Sequence, residues 1–393
     1  MRPFFLNLWL TVYVLLAVVP VVCRAQTPQP PKPNAKLSPQ PAIPAILAAF
    51  DKYEVVAMSE AHGDKDLDDF ILSLIRSPEF PEEVNDIAVE CGNSLYQPIL
   101  DRYIAGEKVP FTEVQKVWRN TTQPMCGISE FFEEFFPLVR AINQKLPPSR
   151  RLRVLAGDPP IDWDRVKNIQ DYLKYKNRDA SIASVMEKQV LSKHQKALML
   201  FGEFHDLHGI NVSSGEAVTM YEKDYPNVTF VIDDLSENFN LPESVEKRLA
   251  SWRVPSLALA RGTWLGAMQL GQFDPLPFRL DPNCHPVYDF PRNKPMAELA
   301  DAFLYLGPTN LALKEPMPAD VALDKTYMKK WLWRTSLLTP PFETLNQADQ
   351  QIVNGAGSPP LLMGDVTPEA MKSITQAVVR GCLEHKKDGK APR

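Results

Sequence analysis

The sequence predicts an α/β protein: a mainly parallel β-sheet flanked by helices, with a helical C-terminal appendage. From residue 45 onward, short and continuously apolar runs alternate with longer segments in which apolar residues recur at helical spacing. Unbroken apolarity over a strand length is typical of strands covered on both faces, as in a parallel sheet. The alternation favours one α/β domain over 45–307, with right-handed crossovers between its strands.

Each element follows from one of these two patterns. Strands are predicted at 54–58, 86–89, 152–156, 197–201, 228–232 and 302–306. Behind Asp64, a capping residue type, a helix is predicted from apolar residues at helical spacing: Leu67, Phe70, Ile71, Leu74 and Ile75. Further helices are predicted at 94–105, 128–146, 163–175, 179–195, 214–224 and 241–251. The appendage, 308–393, is expected to contain two helices, near 325–337 and 367–384.

The composition is that of a globular protein with a substantial core. Of 393 residues, 45% are apolar and 23% are charged, which excludes a chain disordered throughout. The formal net charge is −5. Such a chain lacks the positive field that attracts phosphate backbones, so we expect no nucleic-acid partner.

The N-terminus has the features of a signal peptide. Arg2 precedes an apolar stretch over 4–22, and Cys23, Arg24 and Ala25 follow it. Cleavage after Ala25 would export the protein to the periplasm or the medium. A retained membrane anchor and a lipid on Cys23 are the alternatives, and they are the only membrane contacts expected. Residues 26–44 are rich in proline and poor in apolar residues, which predicts a stiff tether.

Export affects how the cysteines are interpreted. Four remain after cleavage, in a compartment where disulfides persist, and none has a metal-ligand spacing: Cys91, Cys126, Cys284 and Cys382. We predict a bridge between Cys91 and Cys126, because the loops that carry them could meet. Buried free thiols are the alternative.

Polar side chains follow the predicted strands where each strand ends. The ends are Ser59-Glu60-Ala61-His62, Glu90, Gly157-Asp158, Gly202-Glu203-Phe204-His205 and Asp233-Asp234. The carboxyl ends of parallel strands lie at one edge of the sheet, where ligands of open α/β sheets bind. Two ends share the pattern Glu-x-His. We therefore expect His62 and His205 to meet near Glu60, Glu90 and Glu203.

Other polar residues have a plainer interpretation. Acidic residues after strands often cap the next helix, so Asp64, Asp158 and Asp162 are predicted to be caps rather than ligands. His208 is expected to face solvent. No role is assigned to His194, His285 or His385, which lie in polar or proline-rich stretches.

Three kinds of chemistry would use such a cluster. A divalent metal could be held by His62, His205, Glu60, Glu90 and Glu203, and would activate a bound water. Without metal, His62 could act as a general base oriented by Glu60 or Glu90. Haem iron could take an exposed histidine or tyrosine as its axial ligand. The residues themselves leave these three alternatives open.

The motifs resemble a known superfamily. A Gly/Ser-x-x-His after the first strand, a glutamate on the second and a later Gly-x-x-His are similar to the group uniting erythromycin esterases, ChaN-like haem-binding proteins and TraB/Tiki metalloproteases. Here these are Ser59 to His62, Glu90, and Gly202 to His205. Ser-Glu-Ala-His-Gly looks most like the ChaN branch, as does the segment from Tyr96 to Tyr103. The resemblance covers 45–307.

The resemblance implies roles for single residues. His62 would be the general base or a metal ligand, Glu60 its orienting group, Glu90 a second carboxylate and His205 the partner across the cleft. In the esterase branch an arginine assists the reacting carbonyl, and Arg119 is the candidate here. Tyr96, with His62 and His205, would contact haem.

Two departures limit what can be transferred from the superfamily. Ser59 stands where glycine is usual, and the esterase spacing between glutamate and histidine is absent. Macrolide hydrolysis is therefore not implied, since a shared fold does not fix a reaction. We expect an exported hydrolase, esterase-like or metallopeptidase-like, acting on a small molecule or peptide. The alternatives are a haem- or iron-binding protein and a binding protein without catalysis.

Overall fold

The computed structural model describes residues 38–60, 62–210, 216–235, 241–272, 291–337 and Arg380, and the backbone of two short strands within 278–288. The predicted signal peptide, most of the predicted tether, three of the five cysteines and nearly all of the predicted helix at 367–384 lie outside these residues. No helix within the described ranges combines the length and apolarity needed to cross a bilayer.

An eight-stranded, mostly parallel sheet forms the centre of the described residues, and this confirms the predicted fold class. The strands are β1 Gln40–Pro41, β2 Val55–Ser59, β3 Asp86–Asn93, β4 Arg153–Asp158, β5 Ala197–Phe201, β6 Thr229–Asp234, β7 Ser256–Leu259, β8 Phe278–Leu280, β9 Pro286–Tyr288 and β10 Ala302–Tyr305. Their order across the sheet is β1-β7-β10-β6-β2-β5-β3-β4, and β8 and β9 form a separate antiparallel pair.

All six predicted strands are present and pair in parallel with their neighbours from β10 to β4. Two strands at one end of this sheet, β1 and β7, were not predicted. β1 and β7 pair antiparallel with each other, and β7 pairs antiparallel with β10. Both are short, and β7 ends at the exposed Leu259, so neither shows the continuous apolarity of a strand covered on both faces.

Helices cover both faces of the sheet. They are α1 Ala42–Ala49, α2 Lys65–Arg76, α3 Phe80–Glu83, α4 Gln97–Ile104, α5 Phe111–Val114, α6 Lys116–Arg119, α7 Phe131–Asn143, α8 Ile169–Tyr172, α9 Arg178–Gln189, α10 Glu203–Asp206, α11 Ala217–Tyr221, α12 Glu243–Leu249, α13 Ala319–Leu323 and α14 Lys325–Ser336. One apolar core contains side chains of α1, α2, α4 and α7, and a second contains side chains of α9, α11 and α12.

One helix prediction and the predicted end of the tether differ from the structure. The segment predicted as helix over 163–175 is helical only from Ile169, because Asn168 caps α8 by accepting the backbone N–H groups of Gln170 and Asp171. Upstream, the indole of Trp163 donates to the carbonyls of Asn120 and Thr121. At the other end, β1 and α1 begin within the segment predicted as a tether.

The described part of the appendage is helical and packed. In α14, Trp331 donates to the carbonyl of Pro124 at 2.7 Å and Tyr327 donates to that of Gly127 at 2.8 Å. Met317 and Trp331 share a small apolar cluster with Ile128. The appendage therefore supports the loop that precedes α7.

The predicted disulfide is confirmed. Cys91, in β3, is bonded to Cys126, with a Cα–Cα distance of 5.3 Å, and both residues are buried. The bridge ties the end of β3 to the loop supported by α14. It therefore joins the residue directly after Glu90 to the buried loop that precedes α7.

Candidate active site

The topology brings the strand-end residues together. β5 lies between β2 and β3, and all three strands are parallel. His62 follows β2, Glu90 lies in β3, and His205 lies in α10 directly after β5. Nε2 of His62 is 3.6 Å from Oε1 of Glu90, and Nε2 of His205 is 3.9 Å from the same oxygen. Both imidazoles therefore reach one carboxylate.

His62 lies between two carboxylates. Its Nδ1 is 3.2 Å from Oε1 of Glu60, and its Nε2 faces Glu90. Burial opposes the charged imidazole, but the negative charges of Glu60 and Glu90 outweigh it and raise the pKa of His62 well above its usual value. A raised pKa favours the protonated ring, whereas a resting general base needs the neutral one.

Glu90 is a buried and charged centre. One oxygen accepts the backbone N–H of Gly202 at 2.7 Å, and the other accepts the guanidinium of Arg178. Burial favours the neutral acid, but Arg178 and His62 dominate and hold the pKa of Glu90 well below its usual range. The site therefore contains a fixed negative charge to which three donors point.

Packing against Glu90 explains why Gly202, the first residue of the Gly-x-x-His motif, is a glycine. A Cβ atom on Gly202 would lie 3.3 Å from Oε2 of Glu90, tighter than ordinary packing allows. The missing side chain lets the backbone approach the carboxylate closely. The motif therefore links the position of His205 to that of Glu90.

Arg178, which the sequence analysis missed, is central to the site. It is the first residue of α9, and its Nε donates to Oδ1 of Asp158 at 3.1 Å while another nitrogen contacts Glu90. Asp158 was expected to be a helix cap, and this is wrong. Its carboxylate accepts the N–H and the hydroxyl of Thr122 and anchors Arg178. The signal that could have revealed Arg178 was the buried charge of Asp158, which needs a cationic partner.

His205 is held by the residue next to Arg178. Its Nδ1 lies 2.7 Å from Oδ1 of Asp179, and its Nε2 lies 3.4 Å from Nη1 of Arg178. Asp179 also accepts the backbone N–H of Ala217 at 3.0 Å. Burial, followed by the charge of Asp179, raises the pKa of Glu216 to about 8. The protonated form of Glu216 is therefore favoured, and it can donate a hydrogen bond to Asp179.

Two predicted site residues, Arg119 and Tyr96, make contacts with other parts of the fold. Arg119 pairs with Asp320 at 2.8 Å and with Glu133, and its guanidinium lies over the ring of Tyr327. These acidic partners hold it in the interface with the appendage, so Arg178 replaces it as the arginine of the cluster. The hydroxyl of Tyr96 accepts a hydrogen bond from Asn120 at 3.3 Å. Glu203 is buried in α10 and belongs to neither candidate metal group described below.

Of the remaining predictions for polar residues, that for Asp64 agrees with the structure and that for His208 does not. Asp64 caps α2 as predicted, accepting the N–H groups of Asp66 and Leu67. The side chain of His208, which was expected to face solvent, is only 23% exposed. Its two ring nitrogens each lie 3.0 Å from a carboxylate oxygen, one of Glu222 and one of Asp301. His194 is 84% exposed. His285 and His385 lie outside the described residues.

Three groups of side chains have metal-ligand spacing among the described residues, and two of them consist of His and carboxylates: Glu60, His62 and Glu90, and Asp179, His205 and Glu216. A third group combines His62 with Cys91 and Cys126, whose sulfurs are already bonded to each other. Oε2 of Glu60 is buried without a hydrogen-bond partner and would suit a cation. Glu90, however, already pairs with the guanidinium of Arg178, so a metal bound through Glu90 would have to compete with that cation.

Comparison with solved structures finds similar folds at low identity. A succinoglycan biosynthesis protein is 10% identical, with a TM-score of 0.47, over 71% of this chain and 95% of its own. An erythromycin esterase mutant in its open conformation is 11% identical, with a TM-score of 0.42, over 69% and 94%. ChaN of Campylobacter jejuni, with cofacial haem, is 14% identical, with a TM-score of 0.31, over 49% and 84%. No protein-family model and no curated protein matches the chain.

Proposed function

We propose that the protein is a hydrolase that cleaves an ester or amide bond of a small molecule or peptide in the cluster around Glu90. The observation that carries this proposal is the meeting of two imidazoles and one guanidinium at a single buried carboxylate. Imidazoles are the side chains best suited to proton transfer near neutral pH. A guanidinium can polarise a carbonyl and stabilise the negative charge that develops on its oxygen.

The local charges support this chemistry. Glu90 holds Arg178 and orients His62, so donors and charge are in place before a substrate binds, and preorganised donors lower the barrier most effectively. His62, Arg178 and His205 keep 15% to 17% of their side-chain surface exposed, enough for contact with a small ligand. Asp158 and Asp179 are more deeply buried and act as supports.

The test is a panel of chromogenic esters and amides with the purified protein. His62→Gln should reduce turnover about 10²–10⁴-fold, the usual contribution of a proton-transfer group. Arg178→Lys should also reduce it, since one ammonium cannot reproduce the forked contact with Glu90 and Asp158. The exposed His194→Gln is the matched control. Unchanged turnover of a confirmed substrate in His62→Gln would contradict the proposal.

Haem binding is the alternative function, because His205 has one ring nitrogen, Nε2, whose contact with Arg178 could be exchanged for iron. His62 is less suitable, since both of its nitrogens face carboxylates. Titration of the apoprotein with haem would distinguish the two functions. A Soret band that shifts in His205→Gln would favour haem binding; a featureless titration leaves hydrolysis as the better proposal.

Export belongs to the same proposal and rests on the sequence of residues 1–25. N-terminal sequencing of the protein recovered from cells should begin at Gln26 if the segment is a cleaved signal peptide. A mature protein that retains Met1, or that carries a lipid on Cys23, would contradict cleavage after Ala25.

A further inference from the structure

We propose a zinc site that forms when the disulfide between Cys91 and Cys126 is reduced: the two thiolates and one ring nitrogen of His62 bind one Zn²⁺. The three ligand atoms already lie within 4.8 Å of one another. With Zn–S bonds of about 2.3 Å and Zn–N bonds of about 2.0 Å, the ligand atoms of a tetrahedral site are about 3.5 Å apart. Small side-chain rotations therefore close the site once the sulfurs are no longer bonded to each other.

The donor set suits zinc rather than a hard cation. Thiolate sulfur and imidazole nitrogen are ligands that zinc prefers, and two cysteines with one histidine can hold it while a fourth position stays open. Glu60 and Glu90 face the ring nitrogens of His62 at 3.2 Å and 3.6 Å. Their negative charge favours a dication, and one carboxylate oxygen or a water can complete the four ligands.

The elements that carry the two cysteines are held by contacts other than the bridge. Cys91 lies in β3, which pairs with β4 and β5. Cys126 lies in a turn over Pro124–Ile128, in which two carbonyls accept the side chains of Trp331, at 2.7 Å, and Tyr327, at 2.8 Å. Since these contacts do not depend on the bridge, we expect the sulfurs of the reduced protein to stay close enough to share one ion.

His62 is both the nitrogen ligand and the point of access. The loop that carries it is fixed by the carbonyl of Gly63, which accepts the backbone N–H of Glu315 at 2.8 Å. Both cysteines are fully buried, whereas 17% of the His62 side chain is exposed. An ion therefore arrives from the side of the active site and meets the imidazole first.

The chemistry balances with a dithiol as the reductant. The dithiol gives two electrons and two protons to the bridge, which becomes two thiols, and is itself oxidised to a disulfide. Zn²⁺ then replaces the two thiol protons, which pass to the buffer, and accepts a lone pair from His62. An external disulfide reverses the sequence: it is reduced to two thiols, the bridge forms again and the ion is released.

Zinc in this site would control the proposed hydrolysis, and this consequence alone rests on that function. A ring nitrogen bound to zinc can neither give nor accept a proton, so the reduced and zinc-loaded protein should be inactive. Formation of the bridge frees His62. The protein would therefore gain activity on oxidation, as the proposed export requires.

Cobalt(II), which gives a thiolate charge-transfer absorption in the near ultraviolet, is the probe for the site. The full-length protein is reduced with a dithiol, which is then removed without air, and one equivalent of cobalt is added. The absorption should appear, and zinc should abolish it. It should be lost in Cys91→Ser with Cys126→Ser and should persist in Cys284→Ser with Cys382→Ser, the control matched for thiol number. No absorption in the reduced protein, or its loss in the control pair, would overturn the proposal.

His62→Gln distinguishes a folded site from thiols that bind metal in an unfolded chain. It keeps both cysteines but removes the nitrogen ligand. Zinc binding should weaken at least about 100-fold, since even partners outside the ligand set contribute about 10–100-fold. His194→Gln is the control. Equal zinc affinity in His62→Gln, or a reduced protein with the tryptophan emission of an unfolded chain, would overturn the proposal.

Turnover is a separate readout. With a confirmed substrate, one equivalent of zinc should abolish turnover by the reduced protein and leave the oxidised protein active. If neither form hydrolyses an ester or amide, the proposed function is wrong, and the cobalt spectra still decide whether the zinc site exists. If the zinc-loaded protein turns over substrate as fast as the oxidised protein, control of the site by zinc is wrong.

Discussion

His208 offers a direct test of the electrostatics of this fold. The imidazole is clamped between Glu222, at the end of α11, and Asp301, directly before β10, at 3.0 Å on each side. Asp301 also accepts the backbone N–H of Val231 in β6. Burial lowers the pKa of His208, but the hydrogen bonds and charges of the two carboxylates outweigh it and raise the pKa to about 9.

The size of the effect follows from linkage. A rise from 6.5 to about 9 corresponds to about 3 kcal/mol of stability, at about 1.4 kcal/mol for each pKa unit. Because 23% of the side chain is exposed, solvent screening reduces this to about 2 kcal/mol. The folded pKa is the higher one, so this stability is fully present below pH 6.5 and is lost as the pH rises through 9.

The assay is urea unfolding followed by tryptophan fluorescence, at pH 6 and at pH 10. His208→Gln should lower the free energy of unfolding at pH 6 by about 2 kcal/mol more than it does at pH 10. His194→Gln, at an exposed histidine, is the matched control and should show no such difference. An equal cost of His208→Gln at both pH values would refute the reasoning.

Three further substitutions test the packing. Replacing Cys91 and Cys126 together with alanine should cost about 4 kcal/mol, since the bridge closes a loop of 35 residues; a loss below about 1 kcal/mol in urea unfolding would contradict this. Asp64→Ala should cost about 1 kcal/mol through the lost cap of α2, and an unchanged urea midpoint would count against the cap. Gly92→Ala should cost about 1–3 kcal/mol, because the new Cβ would lie 2.7 Å from the backbone of Ala156; a neutral change in thermal unfolding would show that β4 can shift.

The central strands could be predicted because the apolar pattern that marks each of them lies within a few consecutive residues. The convergence of His62, Glu90 and His205 could then be predicted from the parallel arrangement of those strands. A strand covered on both faces must be apolar throughout, and all six such runs became strands. In a parallel sheet the carboxyl ends of neighbouring strands lie at the same edge, so no further information is needed to predict that they meet. β1 and β7 lacked this pattern, because β1 consists of two exposed residues and β7 of only four residues, the last of which is exposed.

The supporting residues could not be predicted for a different reason. Arg178 and Asp179 come from the start of a helix, where charged residues are common and usually exposed. Only the packed fold shows that α9 directs them into the cluster. Arg119, chosen from sequence, lies instead between Glu133 and Asp320, the second of which belongs to the appendage and is distant along the chain. Such pairings depend on tertiary contacts that no local pattern encodes.

The most direct test of the central claim is to titrate the histidine ring signals of Glu90→Gln by NMR. If both imidazoles meet at Glu90, the pKa of His62 should fall, since one of its two carboxylates is lost, and the signals of His205 should move in the same variant. Glu54→Gln, which removes the partner of the exposed His194, is the control and should leave both unchanged. A Glu90→Gln protein in which only one imidazole responds, or neither, would contradict a shared site.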